Sequence, residues 1–200
     1  MLITSTTDSE IDETSPKPKI PGHAQRVCLK TMRYIALLRA VNVGGFGKLP
    51  MAKLKSICAD AKFCRVETYI ASGNVIFDSK VGPTEIKAKL ESRLFAYAKR
   101  PIKVVVRTAA EMAAVADANP FRNADPKHTY VFFLDNRPPR DSLSHAAGRK
   151  DEEMRLGKRE IFVAYPNGMG RSKLRIPAAA TGTARNLNTV AKLVAIALRP

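Results

Sequence analysis

The order of apolar runs and turn signals predicts an α+β chain made of two tandem ferredoxin-like (split βαβ) subdomains, spanning 32–108 and 109–200. Three observations carry that expectation. Strand and helix patterns alternate from residue 32 onward, a tight hairpin signal separates the second strand from the third, and the same order restarts after an alanine-rich helix.

Residues 33–41 (RYIALLRAV) are apolar on both faces, as a central strand is, and they end in the loop Asn42-Val43-Gly44-Gly45-Phe46-Gly47. Pro50 suits the first turn of a helix, where a backbone N–H has no intrahelical partner, and Met51, Leu54, Ile57, Cys58 and Ala61 supply a buried stripe. Residues 65–71 return as a strand. Ser72-Gly73 joins it to Val75-Ile76-Phe77, because glycine accepts the positive φ of a two-residue turn. Pro83 opens a long helix with Ile86, Leu90, Leu94 and Tyr97 inward and Glu85 four residues ahead of Lys89 outward. Residues 102–107 close the first unit.

The second pass begins with a helix at 109–118, stopped by Asn119-Pro120. A strand at 129–134, a helix at 139–147, and strands at 152–156 and 161–165 joined through Gly157 follow in the same order. A short segment at 171–174 precedes a last helix with Leu187, Val190, Ala191, Val194 and Leu198 on one side. The duplication is one of element order, with no repeat residue by residue.

Residues 1–31 are a different material. Four acidic and four basic side chains cancel there, among Ser/Thr clusters and Pro16, Pro18 and Pro21. Such a segment buries too little apolar surface to offset its ordering entropy, so a disordered leader is expected. Met32 stands directly before the first strand, where translation can also start, and the acidic opening argues against a mitochondrial presequence. The whole net charge of +16, from 34 Lys+Arg against 18 Asp+Glu, therefore falls on 32–200. No run approaches the roughly 18 uncharged apolar residues of a membrane helix, so no membrane association is expected.

Cys28, Cys58 and Cys64 are odd in number and contain no CxxC pair, which predicts unpaired structural cysteines in a reducing, cytoplasmic compartment and no zinc site. His23, His128 and His145 are scattered, and no hydroxyl or acid stands beside them in a catalytic order. No catalytic residue, cofactor or metal is assigned.

Four stretches, MRYIALLRAVNVGG from Met32, YIASGNVIF from Tyr69, GRSKL from Gly170 and TARNLNTVAKL from Thr183, resemble the domain-of-unknown-function 1697 family of bacterial proteins, in the same order and at comparable spacing. The resemblance runs from Met32 to about Leu198. It implies two ferredoxin-like subdomains and no activity.

Candidate ligand contacts come from topology. In a split βαβ unit the first two strands are parallel, so the loop after the first and the hairpin after the second emerge at one sheet edge. Asn42, Gly44 and Gly45 are therefore expected beside Ser72 and Asn74. N–H groups freed by glycine ahead of a helix can cradle an anion, but neither phosphate-loop spacing fits: Asn42 and Leu49 replace the glycine and hydroxyl of GxxxxGK[ST], and Pro50 replaces the last glycine of GxGxxG. A tight strand-to-helix turn, with Ser72 and Asn74 shaping the hairpin, is the alternative. Arg39, among Leu37, Leu38, Ala40 and Val41, stands either at the solvent end of its strand or buried with an acceptor, as a structural ion pair or as an anion-site arginine.

Arg171, Ser172 and Lys173 lie beside Gly168 and Gly170, while Thr183, Arg185 and Asn186 are read as opening the last helix. Thr183 would cap free N–H groups, the helix dipole would favour an anion by about 0.3–1 kcal/mol, and Arg171 or Arg185 would add a bidentate contact. Capping beside a solvated basic loop is the plain alternative.

Three functions fit the charge. The favoured one is binding of an anionic, phosphorylated small ligand in a cleft between the subdomains. The others are sequence-nonspecific RNA or DNA binding, and a scaffold for an acidic protein partner. With 6% aromatic residues, no Trp and no RRM signature, recognition by stacked bases is disfavoured.

Overall fold

A computed structural model describes residues 31–42 and 48–199. The disordered leader expected at 1–31 falls, apart from Thr31, outside the described residues, as do Gly44 and Gly45.

The first sheet is built from β1 (Met32–Leu38), β2 (Cys64–Tyr69), β3 (Asn74–Ser79) and β4 (Val104–Thr108), in the order β2-β3-β1-β4 with every pairing antiparallel. β1 is central because it is apolar on both faces: Tyr34, Ala36 and Leu38 enter one core, Ile35 and Leu37 another. α1 (Met51–Asp60) and α2 (Pro83–Ala98) cover the first of these faces with Leu54, Ile57, Ile86, Leu90 and Leu94. An extra residue in β2 between Cys64 and Glu67, with Arg65 at φ 44°, makes a bulge in the edge strand.

After α3 (Ala109–Asp117), β5 (Thr129–Phe133), β6 (Glu153–Leu156), β7 (Glu160–Ala164) and β8 (Thr183–Asn186) form a second antiparallel sheet in the order β6-β7-β5-β8. α4 (Leu187–Ala197) ends the fold. Two expectations change here. Segment 139–147 is a series of turns rather than a helix. Its hydroxyls bond back to nearby carbonyls, Ser142 Oγ to Pro139 O at 2.6 Å and Ser144 Oγ to Asp141 O at 2.7 Å, and so compete with helical bonding. Residues 183–186 pair with β5 as a strand, Phe133 opposite Thr183, so Thr183 caps no helix. Asn186 does, its Oδ1 accepting the Thr189 N–H at 3.0 Å.

One apolar core joins the sheets. Ile35, Leu37, Ile76 and Val105 of the first pack with Val131, Phe133, Phe162 and Ala164 of the second and with residues of α3 and α4. The outer face of the second sheet is covered differently. Both crossovers there are short turns, including the 3-10 segments Met169–Arg171 and Pro177–Ala179, and a smaller core of Leu134, Met154, Ile161, Val163, Tyr165 and Ile176 lies beneath them. Ala147 bridges Arg175 across this cover; Gly148, at φ +70°, follows, where a Cβ would come within 2.4 Å of the Lys173 carbonyl oxygen.

Cys58 is a free, buried thiol as expected, whereas Cys64 is disulfide-bonded, against the expectation of unpaired cysteines. Among the described residues no helix is long and apolar enough to cross a membrane.

Candidate functional site

Four of the sequence-derived candidates meet at the junction of the two sheets. Arg185, on β8, is buried, and its guanidinium is saturated: Nε donates to Asn74 Oδ1 at 2.5 Å, Nη1 to Thr183 Oγ1 and Ala184 O at 2.8 Å each, and Nη2 to Leu38 O and Ser72 O at 2.9 Å each. Every acceptor is neutral. Burial therefore lowers its pKa to about 10, which leaves it charged at neutral pH. Asn74 is equally committed, donating from Nδ2 to Tyr69 O and Ser72 Oγ at 3.0 Å each. This cluster ties the hairpin to the second sheet and keeps no donor of Arg185 for a ligand.

Asn42, at φ 57°, is tied to Leu49 and to the hairpin: Nδ2 donates to Leu49 O at 3.0 Å and Ala71 O at 2.7 Å, while Oδ1 accepts the Leu49 N–H at 2.7 Å. Asn42 is thus adjacent to the hairpin, as the topology predicts. Arg39 lies past the end of β1, exposed, with no ion pair among the described residues, and its N–H donates to Lys103 O at 2.9 Å. The solvent-end alternative holds.

Arg171, Ser172 and Lys173 lie elsewhere, on the thin cover of the second sheet. A cleft of about 550 Å³ opens there over Phe132, Tyr165, Leu174 and Ile176, with Arg175 and Met169 at its sides. A second recess of about 210 Å³ shares Tyr165 and Ser172 with it and is lined by Lys150, Asp151, Glu152 and Arg171. The cleft exists because turns replace helices in both crossovers and leave sheet side chains uncovered. Arg171, Lys173 and Arg175 form no ion pair or side-chain hydrogen bond among the described residues.

In the recess, buried Glu152 accepts the Lys150 N–H at 2.7 Å and the Ser172 hydroxyl. Those bonds, the Lys150 one foremost, hold its carboxyl below the usual glutamate range. Ser172 Oγ in turn accepts the Leu174 N–H at 3.0 Å. Burial, reinforced by the Glu152 charge, pushes the Tyr165 hydroxyl up to about 12, so it is a neutral donor.

Residues 32–162 match the family described as protein of unknown function (DUF1697), well over half of the chain. The chain is a DUF1697 protein. The match ends before GRSKL and TARNLNTVAKL, so those two motifs lie outside the matched stretch. This DUF1697 protein is also similar in structure to the conserved bacterial protein SP0830 from Streptococcus pneumoniae, with a TM-score of 0.70 and 25% identity, covering 84% of this chain and 99% of that one. None of the curated proteins matches it.

Sequence reasoning missed the chemistry of Glu152 and Tyr165, because a buried Glu and a strand-end Tyr carry no local signal. It also missed Arg107. This residue of the DUF1697 chain, 1% exposed, donates from Nε and Nη2 to Glu160 Oε1 at 3.2 and 3.0 Å and from Nη2 to Leu134 O at 2.7 Å, a second polar tie between the sheets. Among the described residues no group of three or more His, Cys, Asp or Glu is placed to hold a metal. His128, half-buried, and His145, exposed, sit 3.7 and 4.0 Å from Asp125 and Asp141, and burial pushes the Cys58 thiol up to about 12, which makes it a poor nucleophile.

Proposed function

We propose that this DUF1697 protein binds a small organic anion, an organic phosphate or a carboxylate with an apolar body, in the cleft on the outer face of its second sheet. The observation that carries this is Arg175, without an ion-pair partner among the described residues, beside an apolar floor made by Phe132, Leu174 and Ile176, with Arg171, likewise without an ion pair, in the adjoining recess that shares Tyr165 and Ser172. A concave apolar site with few polar groups is the usual form of a small-molecule site, and a guanidinium is suited to bidentate contact with such an anion. The sequence placed the ligand between the subdomains. The shared core and the saturated Arg185 favour the outer cleft instead. No reaction is proposed.

Both sheets are read here as ferredoxin-like units, supported by one shared strand order, with crossover helices kept in the first and replaced by turns in the second. In that fold the face without helices is the one an RRM offers to RNA. Here that face of the first sheet carries Ile35, Leu37, Ile76 and Val105 into the shared core, which argues against base stacking on the sheet.

The second reading, phosphate-backbone binding by RNA or DNA, draws on the outer helical layer. Residues 32–108 hold 15 Lys+Arg against 5 Asp+Glu, and Lys53, Lys55, Lys62 and Lys99 are exposed there without ion pairs among the described residues, near exposed Tyr97.

Thermal unfolding of the full chain with phenyl phosphate, benzoate and inorganic phosphate tests the first reading. An organic anion at a hundred times its Kd should stabilise by about 2.7 kcal/mol, and replacing Arg171 and Arg175 with Ala should remove the gain. No shift with any of the three, together with single-stranded RNA binding that weakens steeply with salt, would replace it with the second.

A further inference from the structure

The geometry points to a hydroxyl-bearing ligand: an organic phosphate or carboxylate whose hydroxyl is held in the polar recess between the Tyr165 hydroxyl, which donates to it, and the Glu152 carboxylate, which accepts from it. This rests on the anion-binding reading above and adds which part of the ligand goes where.

Tyr165 is the first observation. The residue is only 4% exposed, its ring meets Tyr130 edge-on at 5.7 Å, and its backbone N–H donates to His128 O at 2.9 Å, so it is held firmly. Yet its hydroxyl makes no hydrogen bond among the described residues. A buried tyrosine normally finds a partner for that group, and among the described residues no sealed side-chain oxygen or nitrogen lacks one. The hydroxyl therefore opens to the cavities that the residue lines. It is a fixed, protonated donor with no acceptor among the described residues.

Charge is the second. The recess holds Glu152 and Asp151 together with Lys150 and Arg171, and Asn167 donates to Asp151 at 2.5 Å. An anionic group entering it would face the ionised Glu152, whose carboxyl is stabilised in that form by the Lys150 N–H and the Ser172 hydroxyl. A carboxylate has about four acceptor positions, and these two bonds leave others for a donor. A hydroxyl satisfies both sides of the recess, since it accepts from Tyr165 and donates to Glu152. The ligand's negative group then stays outside the recess, with Arg175 of the cleft, and its apolar body lies on Phe132 and Ile176.

Matched probes test this by calorimetric titration of the full chain: adenosine monophosphate against its 2′,3′-dideoxy analogue, and salicylate against benzoate. In at least one pair the hydroxylated member should bind about tenfold more tightly. Tyr165→Phe, which keeps the ring and its packing, should bring the ratio close to one while leaving the affinity for the other member unchanged. Glu152→Gln should reduce the same ratio. Equal affinity within both pairs, or a ratio that survives Tyr165→Phe in a variant with wild-type circular dichroism, overturns the inference and leaves the anion site standing. No binding of any probe overturns both.

Discussion

Arg185 shows how a residue chosen for its charge can serve the fold. Its five N–H groups meet five neutral acceptors drawn from β1, the β2–β3 hairpin and β8, so the cation is fully hydrogen-bonded but uncompensated. Arg107 solves the same problem at the other seam with a carboxylate, Glu160. Truncating Arg185 strands the Ser72 carbonyl and the Asn74 Oδ1 in a dry junction, where each unpaired group is costly, and leaves the Leu38 carbonyl only the Thr183 hydroxyl at 3.3 Å. Arg185→Ala should destabilise by roughly 3–5 kcal/mol in urea unfolding, far more than Arg39→Ala at its exposed position. An equal, small effect of both would mean that the junction is wet. Gly73 completes the arrangement: at φ +77° its missing Cβ would lie 2.4 Å from Val41 Cγ2 and 2.8 Å from Leu38 Cβ, so no other residue fits.

At the scale of elements, each helix end tells how its boundary is set. α3 begins with a full capping box, Thr108 Oγ1 accepting the Glu111 N–H at 3.1 Å and Glu111 Oε2 accepting the Thr108 N–H at 2.9 Å. α2 instead ends on Lys99 in the left-handed conformation, φ 55°, a place where glycine is the relaxed choice. Lys99 is exposed and forms no ion pair among the described residues, so Lys99→Gly should raise stability by about 0.5–1 kcal/mol, read as a higher urea midpoint at unchanged slope. The crossovers of the second sheet are the larger lesson. The apolar spacing within 139–147 resembles a helix, but Ser142 and Ser144 bond to carbonyls three residues back, and the resulting turns leave the sheet face open as a cleft.

At the scale of the molecule, buried titratable groups shape the pH range of stability. The Glu152 carboxyl is held low, so its contribution is present above the ordinary glutamate range and is lost as pH falls through its folded value. Cys58 and Tyr165 are each pushed up to about 12, so their contributions are complete below their ordinary values of about 8.5 and 10 and are lost as pH rises toward 12. Stability measured by urea unfolding should therefore form a plateau across roughly pH 5–8. Glu152→Gln should flatten the acid side alone; a variant with an unchanged acid limb would show that other carboxylates control it.

The sequence by itself determined the elements that local chemistry dictates. Seven of the eight strands and the four helices of the described residues were legible in runs such as 33–41, in Pro83 and in Ser72-Gly73, because backbone conformation and apolar period act within a few residues. Adjacency of Asn42 to the hairpin also followed, since strand direction alone implies it. What only the tertiary structure decided depends on partners distant in the chain. Thr183 pairs as a strand because β5 lies beside it, Arg185 is spent because Asn74 is 111 residues away and within 2.5 Å, and the cleft lies on the outer face because no helix covers it. Periodicity marks a side chain as buried; which neighbours it meets, and whether any hydrogen-bonding capacity remains for a ligand, is set by packing across the two sheets.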